Sequence, residues 1–202
     1  MNGLPVKNGL TQSQFAALMQ MSAAELGALM LQAPAFAAQT PVAMARLSGA
    51  GVRYSFREAL TIEAARQLTD DGGISMDNAI RIVISNVGRY FEDRNCAGGK
   101  TDSDFWIGVT RARNTWDQNK EARGAYPVTG FGAGEFWSGN HFAGTLAQVI
   151  AATQEWQRHD EQMYPDSDPA AIFLTNISAA DRRLRNRAGG MIDADADEFN
   201  AS

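Results

Sequence analysis

The sequence predicts an α-rich α+β protein, with an N-terminal winged helix-turn-helix followed by a small mixed α/β module. Three observations carry this. Residues 11–31 (TQSQFAALMQMSAAELGALML) hold two short runs of apolar residues at helical spacing, with a break between them. Residues 51–90 hold an Arg-Tyr segment and then two longer helical runs, split by Gly72-Gly73. Residues 104–113, 126–137 and 171–177 carry the aromatic, β-branched and glycine residues expected of strands and hairpins.

Taken in order, residues 1–10 show no apolar period and predict a flexible lead-in. Thr11 or Ser13 caps a helix whose inward side is Phe15, Leu18 and Met19. After a break at Met21-Ser22, Ser22 and Glu25 form a capping box for a second helix with Leu26, Leu29 and Met30 inward. Two helices of about ten residues joined by a tight turn make a helix-turn-helix. Pro34 and Pro41 prevent one long helix over residues 33–50. Val52–Tyr54 reads as the returning strand of a hairpin turning at Gly49 and Gly51, the wing. Ser55 with Glu58 is a second capping box, opening a helix that buries Phe56, Leu60, Ile62, Ala64 and Leu68. Gly72-Gly73 ends it, and Ser75 opens another with Ile80, Val83, Ile84 and Val87 inward.

Residues 95–103 (NCAGGKTDS) read as a linker. Beyond it come a strand at 104–113, a glycine-rich hairpin at 126–137, a helix at 142–158 and a buried strand at 171–177. A basic helix at 178–187, capped by Ser178, closes this part, and Gly189-Gly190 stops it. The expected division is therefore 1–95 for the winged helix-turn-helix, 104–190 for the second module and 191–202 for an acidic flexible tail.

Composition narrows the function. Apolar residues make up 45 % of the chain, enough for a sizeable core. No run approaches the roughly 20 apolar residues that span a bilayer, and no basic-then-apolar leader is visible, so the expected compartment is the cytoplasm. One cysteine, Cys96, excludes an internal disulfide and a cysteine zinc cage. The net charge of −5 lies entirely in residues 96–202, which hold ten basic and fifteen acidic side chains. Residues 1–95 balance at eight of each, so any nucleic-acid face must be local.

The order helix, turn, helix, wing, helix, glycine break, helix resembles the MerR-type transcription regulators over residues 11–91. The similarity rests on Arg53-Tyr54-Ser55, where that family's wing runs into a Ser-capped helix, and on Gly73-Ile74-Ser75, where its next helix opens. The resemblance implies a regulator that binds double-stranded DNA as a homodimer. The DNA-contacting residues are then expected to be Gln12, Gln14, Arg46, Arg53, Tyr54 and Arg57. One departure stands out. A recognition helix offers Arg, Asn, Gln or Lys to base edges, whereas SAAELGALML carries one acid and no base. The alternative is an adaptor whose helix-turn-helix and aromatic hairpin bind protein. Its expected surface is Phe131, Phe136 and Trp137, with Arg183 and Arg187 as a basic contact.

Catalytic and cofactor motifs are weak. Gly130, Gly132 and Gly134 lack the third glycine of a dinucleotide loop and the Lys-Ser/Thr of a P-loop. His141 and His159 do not form a metal-binding spacing. Asp193, Asp195 and Asp197 begin a calcium-loop pattern but have Glu198 where glycine is needed. The sequence therefore points to a non-enzyme without metal or cofactor.

Overall fold

The computed structural model of the chain describes residues 10–34, 36, 53–96, 103–116, 134–163 and 171–189. These form a mixed α+β structure, rich in helix, with one three-stranded antiparallel sheet. The chain divides into two compact units. One comprises Met1–Phe105 together with Thr175–Ser202, and the other comprises Trp106–Leu174.

In the first unit both short helices begin at reciprocal caps. Thr11 Oγ1 accepts the Gln14 N–H, and Gln14 Oε1 accepts the Thr11 N–H, opening α1 (Gln12–Leu18). Ser22 and Glu25 repeat the arrangement for α2 (Ala23–Gln32). Each box satisfies two amides that a helix start leaves without partners. The turn between them passes through Gln20 at φ 54°, the left-handed region. Arg66 then ties the turn to the next helix: its Nη1 donates to the Met19 carbonyl at 3.0 Å.

That next helix, α3 (Phe56–Gly72), is the centre of the unit. It starts at the Ser55–Glu58 capping box and stops at Gly73, φ 58°, whose N–H donates to the Thr69 carbonyl. Phe56, Ala59, Leu60, Ile62, Ala64, Ala65 and Leu68 are fully buried, so the helix is covered on most of its circumference. It packs against α4 (Met76–Cys96), which turns Ala79, Ile80, Val83, Val87, Tyr90 and Phe91 inward. The crossing is close at Gly88, where a Cβ would stand 3.2 Å from Arg57 Nη2. Tyr54, expected in the returning strand of the wing, forms one antiparallel bridge, and its partner is Leu10. Gly49 and Gly51 lie outside the described residues. Leu10, expected in a flexible lead-in, is fully buried and pairs with Tyr54 through both backbone groups.

The sheet has the order β2-β1-β3, formed by β1 (Phe105–Trp116), β2 (Gly134–Thr145) and β3 (Ala171–Asn176). In the second unit β2 runs straight into α5 (Leu146–Met163), so the strand is longer and the helix starts later than the sequence pattern suggested. The junction explains this. Thr145 and Gln148 form a capping box, and Gly144 before it sits at φ 150°, a conformation that other residues rarely adopt. Gly108 serves α5 by leaving space, since a Cβ there would meet Val149 Cγ1 at 2.4 Å. Across the sheet, Thr110 Oγ1 bonds both the N–H and the carbonyl of Asn140.

The last helix, α6 (Ile177–Ala188), corrects the expected domain boundary. Sequence order placed it in the 104–190 module, yet it belongs to the first unit. Its stripe Ile177, Ala180, Leu184 and Ala188 is buried, and the helix packs on α3 and α1. An amphipathic helix goes where a complementary apolar face exists, not to its sequence neighbour. Its cap is Asn176, not Ser178; the Ser178 hydroxyl accepts the Phe105 N–H instead. The acidic tail, 191–202, lies outside the described residues.

Gln20 provides a test of the helix-turn-helix geometry. A side chain in the left-handed region costs about 1–2 kcal/mol relative to glycine. Gln20 is exposed at the turn. Gln20→Gly is therefore expected to stabilise the protein by about 0.5–1 kcal/mol, after the extra chain entropy of glycine is counted. Urea denaturation measures it; a loss of stability would mean that the turn is not held in this conformation.

Candidate functional site

The surface of the α1–α2 pair is set by which sides of α2 are used up inside. Leu26 and Leu29 face the core. Ala24, Gly27, Ala28 and Leu31 point outward, at i, i+3, i+4 and i+7, and Leu31 is 86 % exposed. Nothing lies within 4 Å of where a Gly27 Cβ would stand. The one ionisable residue of the helix is Glu25. The Ser22 amide and hydroxyl hold its carboxyl below the ordinary value, opposed slightly by burial and aided by Arg66. A fixed negative charge thus stands in the first turn of the helix that would enter a DNA groove.

The residues expected to meet DNA separate on this scaffold. Gln12 and Arg53 are exposed. Gln14 is engaged in the cap of α1. Tyr54 is 3 % exposed, and its ring stacks on Phe15 with centroids 4.2 Å apart. That placement removes Tyr54 from any ligand surface: an aromatic ring beside a core phenylalanine gains more from burial than from solvent. Arg57 is half-buried against α4 at Gly88. Arg46 lies outside the described residues, as does Phe131. Phe136 and Trp137 fall in β2, with their side chains outside the described set.

The arginines of the basic cluster of α6 each pair with an acid. Arg187 grips Glu63 with two nitrogens, at 3.2 and 3.3 Å, and Arg183 Nε reaches the same carboxylate at 3.3 Å. Arg182 is bidentate on Asp104, at 2.7 and 3.0 Å. Arg185 Nε bonds both oxygens of Asp181, and its guanidinium lies 4.8 Å from the centre of the Phe56 ring. Asp181 is 3 % exposed and also accepts the Tyr90 hydroxyl at 2.8 Å, with Arg94 Nη1 at 3.5 Å. Burial first, and then the Asp181 charge, push the Tyr90 phenol well above its ordinary value. The hydrogen bonds from Arg182 and then Asn176 lower Asp104 to about 2. Arg183 and Arg187, expected to contact a partner or ligand, both pair with Glu63 while keeping part of their side chains in water.

The sequence did contain a signal for this. Four arginines within six residues have one acid, Asp181, in their own helix. Such a helix packs on a core only if acids arrive from elsewhere. Glu58 and Glu63, both buried acids of α3, were candidates that sequence spacing does not tell apart.

Among the described residues, no group of three or more His, Cys, Asp or Glu is placed to hold a metal ion. His141 and His159 are both exposed, one on β2 and the other on α5. A polar depression along α5 is lined by Gln154, Gln157, Arg158 and Glu161, all from that one helix.

Two outcomes follow from the ion pairs. Glu63→Ala leaves two guanidinium groups without their carboxylate. Because both arginines keep partial access to water, the expected cost is about 1–3 kcal/mol, below that of a fully buried pair. Chemical denaturation checks it. Asp104 has a folded pKa below its ordinary 3.8. Its contribution is complete above that value and is lost as pH falls toward about 2. Asp104→Asn should therefore narrow its stability gap to wild type between pH 4 and pH 2. A gap that stays constant would show that the Arg182 pair adds nothing to the native state.

No helix among the described residues is long and apolar enough to cross a membrane. No family model, curated protein or solved structure matches the chain.

Proposed function

We propose that the protein is a non-catalytic interaction module whose helix-turn-helix receives an apolar helix of a protein partner. The observation that carries this is the outward face of α2. It presents Ala24, Gly27, Ala28 and Leu31, with no base, and its only charge is the acid Glu25. Phosphate binding depends on lysine and arginine, and base readout on polar side chains. This face supplies neither. Small residues around one exposed leucine do suit a packed helix, because they let its backbone come close and leave the leucine to fill a partner pocket.

The regulator that binds double-stranded DNA as a homodimer is the second reading. It is favoured by the exposed side chains of Gln12 and Arg53, near the two ends of the Leu10–Tyr54 bridge. The two readings separate on one pair of variants. Leu31→Ala removes a side chain that is already in water, so stability should change by less than about 0.5 kcal/mol. Its loss from a helix-in-groove contact should weaken the complex at least tenfold, the usual cost of an interface anchor. A photo-cross-linking residue at position 31 identifies the partner, and titration of the purified pair measures the affinity. Fluorescence anisotropy with a labelled duplex at low salt is the counter-test. Micromolar or tighter duplex binding that Arg53→Ala weakens and Leu31→Ala does not would replace the adaptor with the regulator.

A further inference from the structure

The second unit interrupts the first. The chain leaves the first unit after Phe105 and rejoins it at Thr175, so 69 residues, 106–174, lie between. Inside the first unit the points of departure and return are fastened to each other. Asn176 Nδ2 donates to Asp104 Oδ2 at 2.8 Å, Arg182 grips the same carboxylate, and the Phe105 N–H donates to Ser178 Oγ at 2.9 Å. The two strands that carry the chain across, β1 and β3, are sheet neighbours, a spacing of about 4.8 Å. Beyond the return point stands α6, which gives Ile177, Ala180 and Leu184 to the core of the first unit. Thr175 adds to the anchorage, its hydroxyl bonding the Ala64 carbonyl and Gln67 Oε1 on α3.

We infer that the folded second unit is a conformational clamp on the first, controlling the docking of α6. A folded insertion offers its two ends already a strand spacing apart. An unfolded one is a flexible loop, and closing a loop of n residues lowers a folding equilibrium roughly as n to the power 3/2. For 69 residues that is on the order of several hundred-fold. The effect passes through the connectivity of the chain and needs no contact beyond the fastened ends. It is also reciprocal, so whatever stabilises either unit stabilises the other. Loosening the insertion therefore releases α6, and with it the arginines that hold Glu63 on α3.

The test uses the full chain. Gly108→Val with Val149→Asp opens the second unit, because even a Cβ at position 108 meets Val149 at 2.4 Å and Val149 is buried. Amide hydrogen exchange read by mass spectrometry should then show protection of α3 and α6 falling several hundred-fold. The same chain is made with Asp104→Cys, Asn176→Cys and Cys96→Ser, and compared oxidised and reduced. The disulfide pins the ends as the folded insertion does, so oxidation should restore most of the lost protection. Two results would overturn the clamp. One is wild-type protection of α3 and α6 while β1 and α5 exchange freely. The other is an oxidised chain as labile as the reduced one, which would trace the loss to damaged packing.

Discussion

The first unit depends on the docking of one helix, and that docking depends on Glu63. Helix α6 carries four arginines beside its apolar stripe. Burying Ile177, Ala180 and Leu184 is favourable by the ordinary hydrophobic term. Bringing that many cations to the edge of a core is not, unless each meets a carboxylate. Glu63, at 8 % exposure, takes two of them, while Asp104 and Asp181 take the others. The apolar stripe supplies the attraction and the ion pairs fix the register. A slip of one residue along α6 would turn the helix by about 100°, carrying the apolar stripe off the core and the guanidinium groups away from their carboxylates.

The register matters because α3 is shared. Its caps and apolar faces serve α4 and α6, and Arg66 reaches the carbonyl at the end of α1. Through that bond the α1–α2 pair is tied to the same helix that receives α6. The outward face of α2 is then what remains after Leu26 and Leu29 have been buried. Its lack of basic residues is a chemical property of the surface. Arg183 and Arg187, expected at a partner or ligand surface, both pair with Glu63 of α3.

Inserting a unit between α4 and α6 makes chain connectivity part of the energetics. A helix that completes a core from 69 residues away must overcome a loop-closure cost that a contiguous helix does not. The fastening of Asp104 to Asn176 and Arg182, and of Phe105 to Ser178, stands where that cost is met. Within the insertion, Gly108 and Gly144 let α5 sit close to its sheet and its cap. Gly108 is used there for space, and Gly144, at φ 150°, also for a backbone conformation that other residues rarely adopt.

What the sequence determined by itself was local. The caps at Ser22–Glu25 and Ser55–Glu58, Thr11 as one of two candidates for the first cap, the glycine stops at 73 and 189, and the helix-rich α+β class were all legible. Each rests on residues within about four positions of one another, where side chain and backbone meet whatever the rest of the chain does. The tertiary structure alone decided which unit owns α6, that Tyr54 belongs to the core beside Phe15, and which acids meet the arginines. The Glu63–Arg187 pair spans 124 positions. Nothing in the spacing of the arginines indicates whether their partner is solvent, a ligand or an acid far away in sequence. The choice is made by burial, which commits a charge to a partner only once the core around it has closed.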